Sequence, residues 1–449
     1  MTSRRDPLTP AQAHAAVVDE VWERFAAAAD RVIGVLSPPG AGKSSLVRTM
    51  AERWAADGRP QLPVVTQTNS QADDIVTDLV AQLACTSHKV GRLHASTYTP
   101  PSALVEAGVA FSENVAALQG CDIVVAPARK WAYSTQGAWE AAVIDEVFQM
   151  RSDDLLRVGD RFGRLLTVGD PGQLSPFTIG DERLVRGRPL NPLETAADTL
   201  RLTHPDAPWL ALPVSWRLPP SAATLVSDAF YTRPFQAGTA EGDRQLHGPP
   251  RSTNRAANRA LAEATGSGWA FVELTEAHLP RTDPEVVEVI ADLVDTIIGA
   301  GFTATDETGT TTTIGPEVIA VGVAHRDQRG HIRLAIDRTL AARGLPPGSV
   351  VVDTANRLQG RQFELLIAWH PLSGRRDATA FHLEAGRLCV LLSRHRHACL
   401  VVSRAGIRDQ LEAHPGVEPV WMGEEPPAVD GWEANLTLLD RLEEHRVAA

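Results

Sequence analysis

The tightest constraint on this chain is local. An apolar run, Arg31–Leu36, breaks into Ser37-Pro38-Pro39-Gly40-Ala41-Gly42-Lys43-Ser44-Ser45 and then into a helical pattern over Gly42–Ala56. A strand that enters a glycine-bearing turn and leaves as a helix lets backbone N–H groups curl around phosphate oxygens. The helix N-terminus adds the positive end of its dipole. Gly40, Gly42, Lys43, Ser44 and Ser45 are therefore the candidate nucleotide-binding residues. Lys43 has the reach for β- and γ-phosphates, and the Ser44 hydroxyl suits Mg²⁺. The usual loop opens on glycine; Ser37 stands there, while the part nearest the phosphates is kept.

Further on, Ala142-Val143-Ile144-Asp145-Glu146 reads as an apolar strand ending in two acids. Asp145 at the strand tip suits Mg²⁺ held through water, and Glu146 suits orienting and deprotonating an attacking water. Both motifs sit in a repeating rhythm of short apolar runs and longer helical patterns, which predicts an α/β chain of parallel sheets with helical crossovers. The expected strands are Arg31–Leu36, Leu62–Gln67, Asp122–Ala126, Ala141–Asp145 and Arg164–Gly169, then Trp269–Leu274, Glu317–Val323, Val350–Asp353, Glu364–Ala368 and Ala398–Ser403. Helices are expected over Gly42–Ala56, Ser70–Ala84, Pro284–Ala300 and Asp327–Arg343. Ala237–Gly268 and Ala304–Thr313 read as polar loops, and a domain boundary is expected near Pro205–Pro213, where helix-breaking residues cluster.

Composition narrows the function classes. With 43% hydrophobic and 22% charged residues the chain folds, and no apolar run nears the ~18–20 residues of a membrane span. The start, Met1 to Pro7, lacks an apolar core, and the four cysteines form no C-x-x-C pair, so a cytoplasmic location and no membrane partner are expected. A net charge of −12 denies the chain a bulk electrostatic grip on nucleic acid; binding would need a local basic groove. All but three of the 43 basic residues are arginine, so a nuclease site built on a carboxylate pair with a lysine has almost no lysine to draw on. His395, His397 and Cys399 alternate, but no fourth metal ligand accompanies them.

Further short signatures follow one another in a fixed order. They are Leu8-Thr9-Pro10-Ala11-Gln12, the segment Val65 to Asp74 (V-T-Q-T-N-S-Q-A-D-D), and Gly169-Asp170-Pro171-Gly172-Gln173-Leu174-Ser175-Pro176. Then come Val214-Ser215-Trp216-Arg217-Leu218, Ala324-His325-Arg326-Asp327-Gln328, the segment Val352 to Glu364, and Arg387 to Arg396. With the phosphate loop and the acidic strand, this order resembles superfamily 1 helicases and translocases of the 5′-to-3′ group, over most of the chain from Leu8 to Arg404. The resemblance implies two RecA-like domains, 1–207 binding ATP and 208–449 the helicase domain, with an ATP cleft between them.

It also implies roles. Gln12 would read the adenine edge; a helix cap plus a surface glutamine is the alternative. Gln173 would sense the γ-phosphate. Trp216 would stack on the base, with Trp where the family usually has Tyr, and Arg217 would reach the γ-phosphate. Gln359, Gly360 and Glu364 would lie near the nucleotide, and Arg394 would be the arginine finger. Thr66, Asn69, Arg326 and Thr354 would hold the nucleic-acid backbone, with Asn69 also able to cap the helix that follows. ATP and Mg²⁺ are the implied ligands. Single-stranded nucleic acid is the implied partner, DNA ahead of RNA, with a loading protein beside it. Two other classes stay open at this stage: a nucleic-acid-stimulated ATPase switch or clamp that does not unwind, and a P-loop kinase for a small molecule. The kinase explains Ser37–Ser45 but none of the later motifs.

Overall fold

A computed structural model describes residues 8–84, 86–134, 137–174, 176, 191, 194–248, 255–279, 281–413 and 429–449. Contacts divide the chain into two compact units. One is Met1–Pro171 with Ser175–Pro213; the other is Gly172–Leu174 with Val214–Ala449. Ser175 and Cys85 lie outside the described residues.

The first unit is built on eight strands: β1 (Val32–Leu36), β2 (Leu62–Thr66), β3 (Val90–Leu93), β4 (Ala110–Ser112), β5 (Ile123–Pro127), β6 (Ala142–Asp145), β7 (Leu165–Gly169) and β8 (Trp209–Ala211). They run in the order β4-β3-β5-β2-β6-β7-β1-β8, and every pairing is parallel. The central strands are buried along their length, which is why they read in sequence as continuous apolar runs rather than alternations. Three helices bear on the site: α1 (Pro10–Ala27), α2 (Lys43–Ala56) and α3 (Asn69–Leu83). The sheet order leaves only β7 between the strand feeding the phosphate loop and the strand ending in the two acids. Both motifs therefore leave the sheet at its carboxyl edge, where open α/β sheets bind ligands.

The second unit opens with two short pieces, β9 (Val214–Ser215) and β10 (Gln236–Ala237), which pair in parallel. Next come β11 (Gln245–His247), β12 (Trp269–Leu274), β13 (Thr303–Thr305), β14 (Thr311–Thr313), β15 (Ile319–Val323), β16 (Val351–Thr354), β17 (Phe363–Trp369), β18 (His395–Arg404) and β19 (Arg446–Ala448). Six of them form a second parallel sheet, β16-β15-β17-β18-β12-β19; β11, β13 and β14 form a small antiparallel sheet. Among the described residues no helix is long and apolar enough to cross a membrane.

Two expectations are corrected here. Ala237–Gly268 is not a loop, since it holds β11 and a helix at Arg255–Ser267. That helix faces the core with Ala257, Ala260, Leu261 and Ala264, so its stripe is alanine-rich and weakly apolar in sequence. Within the same stretch Pro249 and Pro250 lie outside the described residues. Ala304–Thr313 is likewise a hairpin, β13 and β14 turning at Asp306–Gly309, with Asp306 Oδ1 accepting from the Thr308 and Thr310 N–H groups. Its threonines are largely exposed, so no apolar alternation announces strands.

Gly34 marks a close approach. A Cβ there would lie 2.2 Å from Trp209 Cε3, because the indole of β8 lies on the backbone of β1. Gly34→Ala should push that ring off β1 and cost roughly 1–3 kcal/mol. The measurement is a lowered thermal midpoint for the first unit.

Candidate nucleotide and nucleic-acid site

The phosphate loop has the backbone its sequence requires. Gly40 and Gly42 sit at φ 72° and 83°, a region other residues rarely adopt. Gly42 is the N-cap of α2 and makes no side-chain cap bond. The first N–H groups of a helix have no intrahelical acceptor, so this helix start is suited to an anion. The loop is anchored by Ser37 N–H donating to the Gly169 carbonyl at 2.8 Å, and the buried Ser37 hydroxyl finds no hydrogen-bond partner. Ser44 and Ser45 are exposed.

Lys43 ties the two motifs together. Its ammonium bonds to Glu146 Oε1 and lies 3.9 Å from Asp145 Oδ1. Burial by itself lowers the proton affinity of this amine, but the charges of Glu146 and Asp145 outweigh it and hold the ammonium above its ordinary value. Burial also pushes the Asp145 carboxyl up to about 6, opposed by Lys43 and reinforced by Glu146. Asp145 Oδ1 and Glu146 Oε2 are buried with no hydrogen-bond partner. Glu146 sits at φ 56°, a strained setting for a non-glycine residue. This donor set fits nucleotide with Mg²⁺. Mg²⁺ takes one or two protein oxygens and completes its shell with phosphates and water, so it needs no larger cage. Among the described residues no group of three or more His, Cys, Asp or Glu is assembled for a metal. His397 is instead held by Glu364 Oε2 at 2.7 Å and the Thr305 carbonyl at 3.0 Å.

The other predicted residues fall as follows. Gln12 forms a capping box with Thr9 at the start of α1, its Oε1 accepting from Thr9 N–H at 3.0 Å. Thr68, not Asn69, caps α3; the Asn69 Oδ1 accepts from buried Arg92 at 2.9 Å. Thr66 is fully buried, with its hydroxyl on the Thr68 carbonyl. Gly172–Leu174 pack with the second unit, so Gln173 goes with that unit although β7 belongs to the first. A Cβ on Gly386 would lie 2.7 Å from the Gln173 carbonyl carbon.

In the second unit Arg217 donates to the Ser393 carbonyl at 3.3 Å, which brings it beside Arg394. Arg394 is buried, with Nε on the Val390 carbonyl at 3.4 Å and Nη2 without a hydrogen-bond partner. Trp216 is 37% exposed and one side of its ring covers Gly238. Arg326 is exposed at the start of the helix Arg326–Ala342, and Thr354 is half-buried at the end of β16. Gln359 Nε2 is buried without a partner and Gly360 takes φ 80°. Burial alone would raise the Glu364 carboxyl, yet His397 and Arg396 bring it below its ordinary value.

Sequence reasoning passed over several residues here. Gln67 Nε2 donates to the Asp145 carbonyl at 3.0 Å, tying the end of β2 to the acidic strand. Gln362 accepts from Arg217 Nε at 3.4 Å, and His14 lies beside Gly42. Only Gln67 and Gln362 fall inside quoted motifs, and a glutamine alone carries no signal.

Lys43→Ala should abolish nucleotide binding and ATP turnover while the fold persists. Fluorescent-nucleotide titration beside circular dichroism checks this, and retained turnover would remove the assignment.

Comparison with known proteins agrees with this geometry. One AAA domain family model matches residues 8–204 and a second AAA domain model matches 197–406. No curated protein matches the chain. Two solved structures resemble it: the arterivirus nonstructural protein 10 helicase in complex with DNA, and the DUF1998 helicase MrfA bound to DNA and AMPPNP. The first aligns at 15% identity and a TM-score of 0.43, over 87% of this chain and 64% of that one. The second aligns at 11% identity and a TM-score of 0.41, over 89% and 49%. The chain thus spans less than two thirds of either structure's length. Two AAA domain matches run together from residue 8 to 406, so this protein carries two stretches similar to AAA domains, the first of them holding the phosphate loop and the acidic strand that meet at Lys43.

Proposed function

We propose that the protein is an ATP-driven motor that moves 5′ to 3′ along single-stranded nucleic acid, with duplex separation as the further activity to test. The observation that carries the reading is the meeting of Arg217 with the Ser393–Arg394 segment in the second unit. A small-molecule kinase would use the first unit's loop alone; two arginine-bearing segments that meet in a second unit are what a motor uses.

In this reading Gly40, Gly42 and Ser45 present backbone to the phosphates, while Ser44 and Asp145 hold Mg²⁺. A bound Mg²⁺ offsets charge on the phosphate oxygens. Once Lys43 turns to those oxygens, the Glu146 carboxylate is free to take a proton from the water that attacks the γ-phosphorus. Gln173, Arg217 and Arg394 serve the γ-phosphate, and the planar guanidinium suits phosphate oxygens as negative charge shifts among them. Gln12 and Trp216 serve the base, with Gln359, Gly360 and Glu364 near the nucleotide. Asn69, Arg326 and Thr354 serve the strand backbone, Asn69 being held in place by Arg92, while Thr66, fully buried, shapes the loop before α3 through its bond to the Thr68 carbonyl.

The deciding experiment measures ATP turnover with and without single-stranded DNA and RNA at two salt concentrations, then follows movement on the polymer that stimulates. Stimulation that weakens with salt, together with directional tracking, is expected. Stimulation without tracking would return the switch reading, and turnover indifferent to every polynucleotide would end the motor. Arg394→Ala should lower kcat by on the order of 10³-fold with little change in KM for ATP; an effect confined to KM would remove Arg394 as a finger.

A further inference from the structure

A cluster of charged side chains in the second unit is centred on two residues, Arg244 and Glu307, that lie outside every motif. Arg244 stands just ahead of β11 in the stretch that reads as a polar loop, with a side chain only 3% exposed. The guanidinium uses all three nitrogens. Nε and Nη2 grip Glu307 at 2.7 and 3.1 Å, a bidentate pair. Nη2 also donates to the Trp216 carbonyl at 2.7 Å, and Nη1 to the Arg217 carbonyl at 2.5 Å. Glu307 stands in the turn between β13 and β14, and it binds a second arginine, Arg396, at 3.1 Å. Arg396 reaches Glu364 at 3.4 Å, and His397 ties Glu364 to the Thr305 carbonyl. The small hairpin is thus wired on one side to the Trp216–Arg217 backbone and on the other to β18.

We propose that Arg244, oriented by Glu307, is a positioning residue that fixes the backbone from which the Trp216 and Arg217 side chains project. Two consecutive carbonyls just beyond a two-residue strand have little regular ladder to hold them, and one planar fork binds both. Lysine cannot reproduce this, because a compact ammonium does not span two carbonyls and a carboxylate at once. The network is committed to its charges. The Arg244 hydrogen bond, against the effect of burial, brings the Glu307 carboxyl down to about 2, with Arg396 adding to the pull. The hairpin that sequence reads as a loop then has a purpose: it delivers one acid to the arginine behind Arg217.

The inference rests on the reading of Arg217 as a γ-phosphate residue, and a double-mutant cycle separates the two. Arg244→Lys should lower kcat for ATP on the order of 10- to 100-fold, since misplacing a catalytic group by an ångström has that effect. Single-strand affinity should stay unchanged. In an Arg217→Ala background the same substitution should change kcat by less than about twofold, because the γ-phosphate side chain that Arg244 positions is then gone. Glu307→Gln, in the exposed turn, should give a smaller loss with the same dependence on Arg217 and without disturbing the core. Arg343→Ala, which removes the surface pair with Asp295, should leave kcat as it is. If Arg244→Lys is silent, or lowers kcat equally in both backgrounds, the positioning role is overturned. If Arg217→Ala itself leaves kcat intact, the reading of Arg217 falls first and takes this inference with it.

Discussion

A single half-buried ammonium organises the first unit. Lys43 stands at the start of a helix, where the dipole already favours anions, and its countercharges come from the tip of a strand two places away in the sheet. Neither acid is comfortable without it. Asp145 and Glu146 are adjacent, buried and each left with an oxygen that lacks a hydrogen-bond donor. The arrangement is electrically closed yet short of hydrogen bonds, a state that a ligand bearing both phosphate oxygens and a divalent cation resolves. The left-handed backbone at Glu146 belongs to the same logic, since strain persists where the surroundings over-determine it.

Arginine carries the polar interior elsewhere. Arg92 is fully buried on Asp73 and Asn69, with Tyr98 against its guanidinium. Arg164 reaches the Phe25 carbonyl and Glu140, and Arg404 grips Asp283 with two bonds of 2.7 and 2.8 Å. Such pairs contribute little net stability, because desolvating both partners offsets the attraction. Their worth is geometric. A planar fork that must satisfy several acceptors permits one arrangement of the segments it joins. Asn69, Arg217 and the start of the helix Pro284–Ala300 are each fixed in this way. The scarcity of lysine noticed in the composition therefore has a structural counterpart in the buried forks.

Much of the framework was legible. Trp269–Leu274 and Pro284–Ala300 form over the expected residues, and the other expected strands match within a few residues, because strands buried on both faces leave uninterrupted apolar runs. The hairpin β13–β14 escaped because threonines exposed to water carry no apolar period. The helix Arg255–Ser267 escaped because its buried stripe is mostly alanine. Asn69, which the sequence also lets cap the helix that follows, is kept from doing so by competition: Thr68 one residue earlier offers a hydroxyl and finds Gln71 at the right spacing, which leaves the Asn69 carboxamide to Arg92.

The sequence by itself determined the chemistry that depends on local order. It placed a glycine turn before a helix, acids at a strand tip, and the motifs in an order that resembles superfamily 1 helicases. Tertiary structure alone decided which charges meet. That Lys43 bonds Glu146, that Arg217 sits by Ser393, and that Arg244 reaches back from a polar stretch to two carbonyls all follow from sheet order and strand register. Those are set by the packing of residues far apart in the chain, so no local pattern encodes them.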